Sequence, residues 1–136
     1  MSKTAPLHNT LQKKALAWFQ GLIRKYVWGM DIHPSTQIAT TALIDRTWPR
    51  GIHIGADCSI GEHVVVLTHD MTRGVYLDTR IGDRSVLGAR AIILPGLTVG
   101  ADSLVMPGAV VTRDMPPNSI AIGNPATVEP RPSAAG

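Results

Sequence analysis

From Ile32 onward, aliphatic residues recur every six positions, and few folds tolerate that spacing. The first run is Ile32, Ile38, Ile44; the second is Ile54, Ile60, Val66; the third is Ile81, Leu87, Ile93, Val99, Val105, Val111. Four residues after most of these stands a small or modest side chain: Thr36, Ala42, Cys58, Val64, Ser85, Ala91, Ser103, Ala109. Glycine often follows the aliphatic residue directly, as at Gly55, Gly61, Gly82, Gly88 and Gly100. A period of six is neither that of an α-helix nor that of an alternating strand. It fits a coil in which each six-residue unit makes one short strand and one corner, its aliphatic residue stacking on the equivalent one turn away. Three such units close a triangular turn, and stacked turns make a solenoid. The narrow interior admits small aliphatics and excludes large rings, which accounts for an aromatic content of only 4% beside 44% hydrophobic residues. The glycines are expected to relieve a crowded bend. The expected fold class is therefore all-β: a left-handed parallel β-helix with an N-terminal α-helix.

The period breaks twice. Ile44 and Ile54 are ten residues apart, around Trp48-Pro49-Arg50-Gly51, and Val66 and Ile81 are fifteen apart, with the excess at Met71 to Thr79. Insertions in a solenoid project from its corners and commonly carry function. Ahead of the coil, Leu7, Leu11, Ala15, Trp18 and Leu22 follow steps of three and four, which predicts an amphipathic helix over residues 6–26. It would pack on the end of the coil or on a neighbouring subunit; Trp18, Phe19 and the basic residues also suit contact with an anionic membrane surface. The chain divides into the helical segment 1–30, the coil 31–128, whose regular period ends near Arg113, and a tail 129–136 expected to be disordered.

The formal charge is +3, no Lys/Arg run exceeds two residues, and no aromatics interleave with a basic stripe. That favours an anionic small molecule over nucleic acid. The single Cys58 excludes an internal disulfide and multi-cysteine metal motifs, and its place in the repeat makes it core. Without an apolar span of membrane length or a signal-peptide pattern, a cytoplasmic location is expected.

Four pieces in order resemble the hexapeptide-repeat acyltransferases, in particular the small sugar and polysaccharide O-acetyltransferases. They are Leu67-Thr68-His69-Asp70 before the insertion, Ile81-Gly82-Asp83, Pro95-Gly96-Leu97-Thr98-Val99-Gly100, and Gly108-Ala109-Val110-Val111-Thr112-Arg113-Asp114-Met115-Pro116 with Gly123-Asn124-Pro125-Ala126. The resemblance implies a metal-free enzyme that transfers acetyl from acetyl-CoA directly to a sugar hydroxyl. His69 would be the general base, a role that imidazole suits near neutral pH. Asp45, in Leu43-Ile44-Asp45, would orient that imidazole or bind an acceptor hydroxyl; Asp70 reads equally as a loop cap. The resemblance further implies oxyanion donors at the backbone of Gly88 and Ala89, and coenzyme A against Ala89, Pro107, Thr112 and Arg113, with Arg113 on a phosphate. Two departures stand out. Ser85-Val86-Leu87 lacks a large aromatic common in relatives, and Thr127 replaces the arginine of Asn-Pro-Ala-Arg, a contact Arg131 could restore only from an ordered tail. A homotrimer with active sites between subunits is also implied.

Other readings compete. The γ-type carbonic anhydrases share such a coil and hold zinc through three histidines; His33, His53, His63 and His69 are the candidates, but His63 and His69 should lie on successive faces. Serine acetyltransferases share the look of Asp31-Ile32-His33-Pro34 yet carry a long helical N-terminal domain and a glycine-rich catalytic loop. Acyl-carrier-protein-dependent acyltransferases use a His-Asp pair but keep the period running through it. A non-catalytic structural module is the remaining alternative.

Overall fold

The computed structural model describes residues 7–132. Up to Val111, each six-residue unit forms a strand of two or three residues whose last member is the inward aliphatic, and the strands stack into three parallel sheets. The first face holds Asp31–Ile32, Ile52–Ile54, Thr79–Ile81 and Thr98–Val99. The second holds Gln37–Ile38, Ser59–Ile60, Val86–Leu87, Leu104–Val105 and Ser119–Ile122. The third holds Leu43–Ile44, Val65–Val66, Ile92–Ile93 and Val110–Val111. Register sets like on like: Ile38 on Ile60, Leu87 on Val105, Ile44 on Val66, Ile93 on Val111. These columns form the core, with Val66, Ile93, Val99, Val105 and Val111 fully buried. This is the parallel β-helix that the six-residue period predicts.

The coil runs further than its regular period suggests. Met115 bridges Val99 on the first face, Ala121 pairs with Val105 on the second, and both are buried. The chain then doubles back, and Thr127–Pro130 pairs antiparallel with Ser119–Ile122. The expectation of disorder from residue 129 is therefore corrected at Glu129 and Pro130, which continue this ladder, while Arg131 N–H donates to the Asn118 carbonyl at 2.7 Å. Residues 133–136 of the expected tail lie outside the described residues.

The corners revise the role of glycine. At Gly82 and Gly88 the obstacle to a side chain is the next turn of the coil: a Cβ would meet Ala101 Cα at 2.8 Å, or Pro107 N at 2.6 Å. The bend itself falls two residues later, where Asp57, His63, Arg84, Arg90, Asp102 and Asn118 adopt left-handed backbone, with φ near 60°. Gly96 and Gly108 occupy the same station. Between the first and second faces the small inward residues also bond from turn to turn. Thr36 Oγ1 accepts from Cys58 N–H, Ser85 Oγ donates to the Gly100 carbonyl, and Ser103 Oγ donates to the Pro116 carbonyl. Cys58 belongs to this column, its thiol donating to the Gly82 carbonyl.

The N-terminal helix, α1, spans Leu7–Leu22 and continues as a π-helical turn, Ile23–Trp28, which Gly29 ends at φ 72°. Pro6, the expected helix start, lies outside the described residues. Met30 is buried and Trp28 packs against the core, so this connection closes the first turn. Leu11, Leu16, Trp18 and Phe19 of α1 remain exposed.

Candidate active site

The two interruptions of the period project from the same edge of the prism, between the third and first faces. After Val66 the chain leaves the coil as a hairpin, His69–Asp70 pairing antiparallel with Val75–Tyr76. One turn earlier, after Ile44, Asp45 begins the shorter excursion, which ends in the 3-10 turn Pro49–Gly51. Neighbouring turns of a parallel coil lie about 4.8 Å apart, so these excursions touch.

Their meeting point is Asp45. Its carboxylate is buried, 3% exposed, and each oxygen is engaged. Oδ1 accepts from Thr47 N–H at 2.8 Å; Oδ2 accepts from Thr68 N–H at 2.9 Å, from His69 N–H at 3.2 Å, and from the His69 ring at Nδ1. Burial pushes the Asp45 carboxyl up, but the hydrogen bonds from Thr68, His69 and Thr47 outweigh it and hold the group down at about 2. An ionised, buried carboxylate fixes the proton on Nδ1 and leaves Nε2 as the acceptor. His69 is 23% exposed at its side chain, and Nε2 has no hydrogen-bond partner among the described residues. Of the two roles expected for Asp45, the geometry matches orientation of the imidazole. Asp70, next in sequence, caps the hairpin tip: its carboxylate accepts from Thr72 N–H, Arg73 N–H and Arg73 Nε.

An aromatic pair went unread in the sequence. Trp48, from the first excursion, stacks on Tyr76, from the second, with ring centroids 5.4 Å apart and planes at 30°. The available signal was one large ring in each insertion of a chain holding three Trp and two Tyr.

The other expected site residues divide between two edges. Thr112 and Arg113 follow Val111 on the same edge as His69, two turns further on, roughly 10 Å along the axis. Arg113 is exposed and makes no ion pair among the described residues. Gly88, Ala89 and Pro107 stand instead between the second and third faces, a full face away. The Gly88 N–H donates to the Val105 carbonyl at 2.7 Å, so the expected oxyanion role is corrected there: that donor is already committed to the coil. The Ala89 N–H has no acceptor among the described residues. Arg131 does not join Arg113; its guanidinium donates to the Asp102 carbonyl, between the first and second faces. The remaining histidines are scattered. His53, on the first face, bonds Asp31 at 3.0 Å, His63 holds a left-handed corner, and His33 bonds Ser35.

The profile of the bacterial transferase hexapeptide family (six repeats) matches residues 78–113. The chain is a hexapeptide-repeat protein. The chain is 36% identical over 105 residues to serine acetyltransferase 4 of Arabidopsis thaliana, covering 74% of this chain and 29% of that one. It is 32% identical over 116 residues to the serine acetyltransferase of Mycobacterium tuberculosis, covering 79% and 49%. The chain thus spans less than half the length of either relative. In structure it resembles a maltose O-acetyltransferase from Clostridium difficile 630, with a TM-score of 0.58, 24% identity and coverage of 90% and 85% of the two chains, a likeness of fold.

Proposed function

We propose that this hexapeptide-repeat protein is an acetyltransferase that moves acetyl from acetyl-CoA to a hydroxyl of a saccharide acceptor. The observation that carries the reading is the Asp45–His69 pair at the mouth of the double insertion. A hydroxyl attacks a thioester poorly until its proton is removed, and imidazole makes that transfer near neutral pH. In this reading His69 Nε2 takes the acceptor proton as the hydroxyl oxygen attacks the thioester carbonyl carbon. The tetrahedral intermediate collapses with loss of the coenzyme A thiolate, and His69 returns its proton to that sulfur. Asp45 is the positioning residue: it holds the tautomer and favours the imidazolium formed during transfer. The free Ala89 N–H is suited to the oxyanion. The exposed Arg113 is suited to a phosphate of coenzyme A.

His69 and Ala89 lie on different edges of one prism, so this chemistry needs a second copy to bring an Ala89 edge against a His69 edge. We therefore infer a homotrimer with three clefts, each shared by two subunits. The relatives favour a second reading, in which the acceptor is serine. Release of coenzyme A thiol, measured with acetyl-CoA against methyl glycosides, nucleotide sugars and L-serine, separates the two. Saccharide-dependent release is expected, and release with serine alone would overturn the choice of acceptor. His69→Ala should lower kcat by roughly 10²–10⁴-fold while coenzyme A still binds; activity within a few-fold of wild type would remove His69 from its role.

A further inference from the structure

The stacked rings of Trp48 and Tyr76 have no part in the chemistry above, yet they are built into the same excursions. His69 and Tyr76 are directly paired across the hairpin, which puts both side chains on one face of it, with Cβ atoms roughly 5 Å apart. The Trp48 carbonyl accepts from Thr68 Oγ1 at 2.8 Å, which ties the first excursion to the residue just before His69. The indole lies against the bare Cα of Gly51: a Cβ there would stand 2.5 Å from Trp48 Cδ1 and 2.9 Å from its Nε1. The pair is thus held at Tyr76 by the hairpin ladder and at Trp48 by the Thr68 hydroxyl and the close backbone of Gly51. Stacking nevertheless leaves Trp48 37% and Tyr76 61% exposed, a cost that a ring pair serving only the core would avoid.

We propose that Trp48 and Tyr76 form the acceptor-binding platform, Trp48 backing one face of Tyr76, and that the ligand it takes is a pyranose ring lying flat on the other, exposed face with one hydroxyl turned to His69 Nε2. A pyranose presents an apolar face of axial C–H groups, to which a fixed aromatic plane is complementary, and polar edges that stay in water. A free amino acid such as serine has no such face. The proposal rests on the saccharide reading above and supplies the surface that reading lacks.

Saturation-transfer NMR on the whole protein, with methyl β-D-glucopyranoside and methyl β-D-galactopyranoside as probes and L-serine as comparison, tests it without requiring turnover. Transfer to the ring C–H protons of at least one glycoside is expected in wild type and in His69→Ala. It should fall roughly tenfold in Trp48→Ala and in Tyr76→Ala, the worth of one covered ring face, and return in Trp48→Phe. No transfer to either glycoside, or transfer undiminished in both alanine variants, would sink the platform. In turnover, Trp48→Ala should raise the KM for the saccharide and leave that for acetyl-CoA unchanged. A rise confined to acetyl-CoA would reassign the rings to the donor and overturn the proposal. Glycoside binding that depends on Trp48 in a protein without transferase activity would keep the platform and remove the transferase reading instead.

Discussion

Asp45 shows how one side chain carries both stability and chemistry. Its carboxylate is held at about 2 against an ordinary value of 3.8, and a difference of that size corresponds to roughly 2 kcal/mol for a buried group. The folded value is the lower one, so this contribution is complete above about pH 4 and disappears as the pH falls through about 2. Acid unfolding followed by circular dichroism should show that loss in wild type, and Asp45→Asn should lack it, being already less stable at neutral pH. The same substitution should lower kcat by roughly 10²–10⁴-fold, because an amide neither fixes the Nδ1 proton nor balances the imidazolium. A variant with unchanged kcat would make Asp45 a purely structural residue. Sequence alone left Asp45 between two roles, since its only visible property was its place after Ile44. What favours orientation of the imidazole is that Thr47, Thr68 and His69 fill its oxygens, and two of those donors come from a turn the sequence places twenty-odd residues away.

At the scale of the corner, two glycines of the coil do different work. Gly82 sits under the backbone of the following turn, and a methyl group there meets Ala101 Cα and the Gly100 carbonyl carbon at 2.8 Å. Gly108 has open space around it but φ 75°. Gly82→Ala should therefore behave as overpacking, costing about 1–3 kcal/mol, and Gly108→Ala as backbone strain of about 1–2 kcal/mol. Thermal unfolding checks the order; a neutral Gly82→Ala would mean that the coil spreads its turns freely. The inward Ile, Val and Leu columns were legible because the six-residue spacing holds everywhere between Ile32 and Val111 outside the two insertions. The left-handed corner station was not, because Asp57, His63, Arg84, Arg90, Asp102 and Asn118 share a dihedral angle and no chemistry. The regular period stops at Val111 because the register slips there: Met115 follows after four residues instead of six, and Pro116, Pro117 and Asn118 read as a loop before Ala121. His69 could be picked out because it precedes an insertion, whereas Trp48 and Tyr76 are related only through the fold.

For the whole molecule, the division of candidate residues between two edges makes the proposed trimer testable by mixing. Ala89→Trp should block the donor edge and His69→Ala should disable the acceptor edge. Each homotrimer should be inactive, and co-refolded mixtures should regain roughly a quarter of wild-type activity through clefts that receive two intact edges. Mixtures as inactive as their parents would place the site within one subunit. Arg113→Ala should raise the KM for acetyl-CoA roughly ten- to a hundredfold at low salt, an effect that shrinks as salt screens the exposed charge. The returning strand Thr127–Pro130 has a consequence of another kind. A coil of parallel strands ends in a row of unpaired backbone groups, a template on which a second chain could add a further rung and begin a fibre. Here the last rung of the second face, Ser119–Ile122, is covered by a strand of opposite direction that carries Glu129 and closes with Pro130. Growth along the axis is blunted there by a charge and by a residue with no N–H to offer, so the returning strand closes the last rung of that face to a second chain.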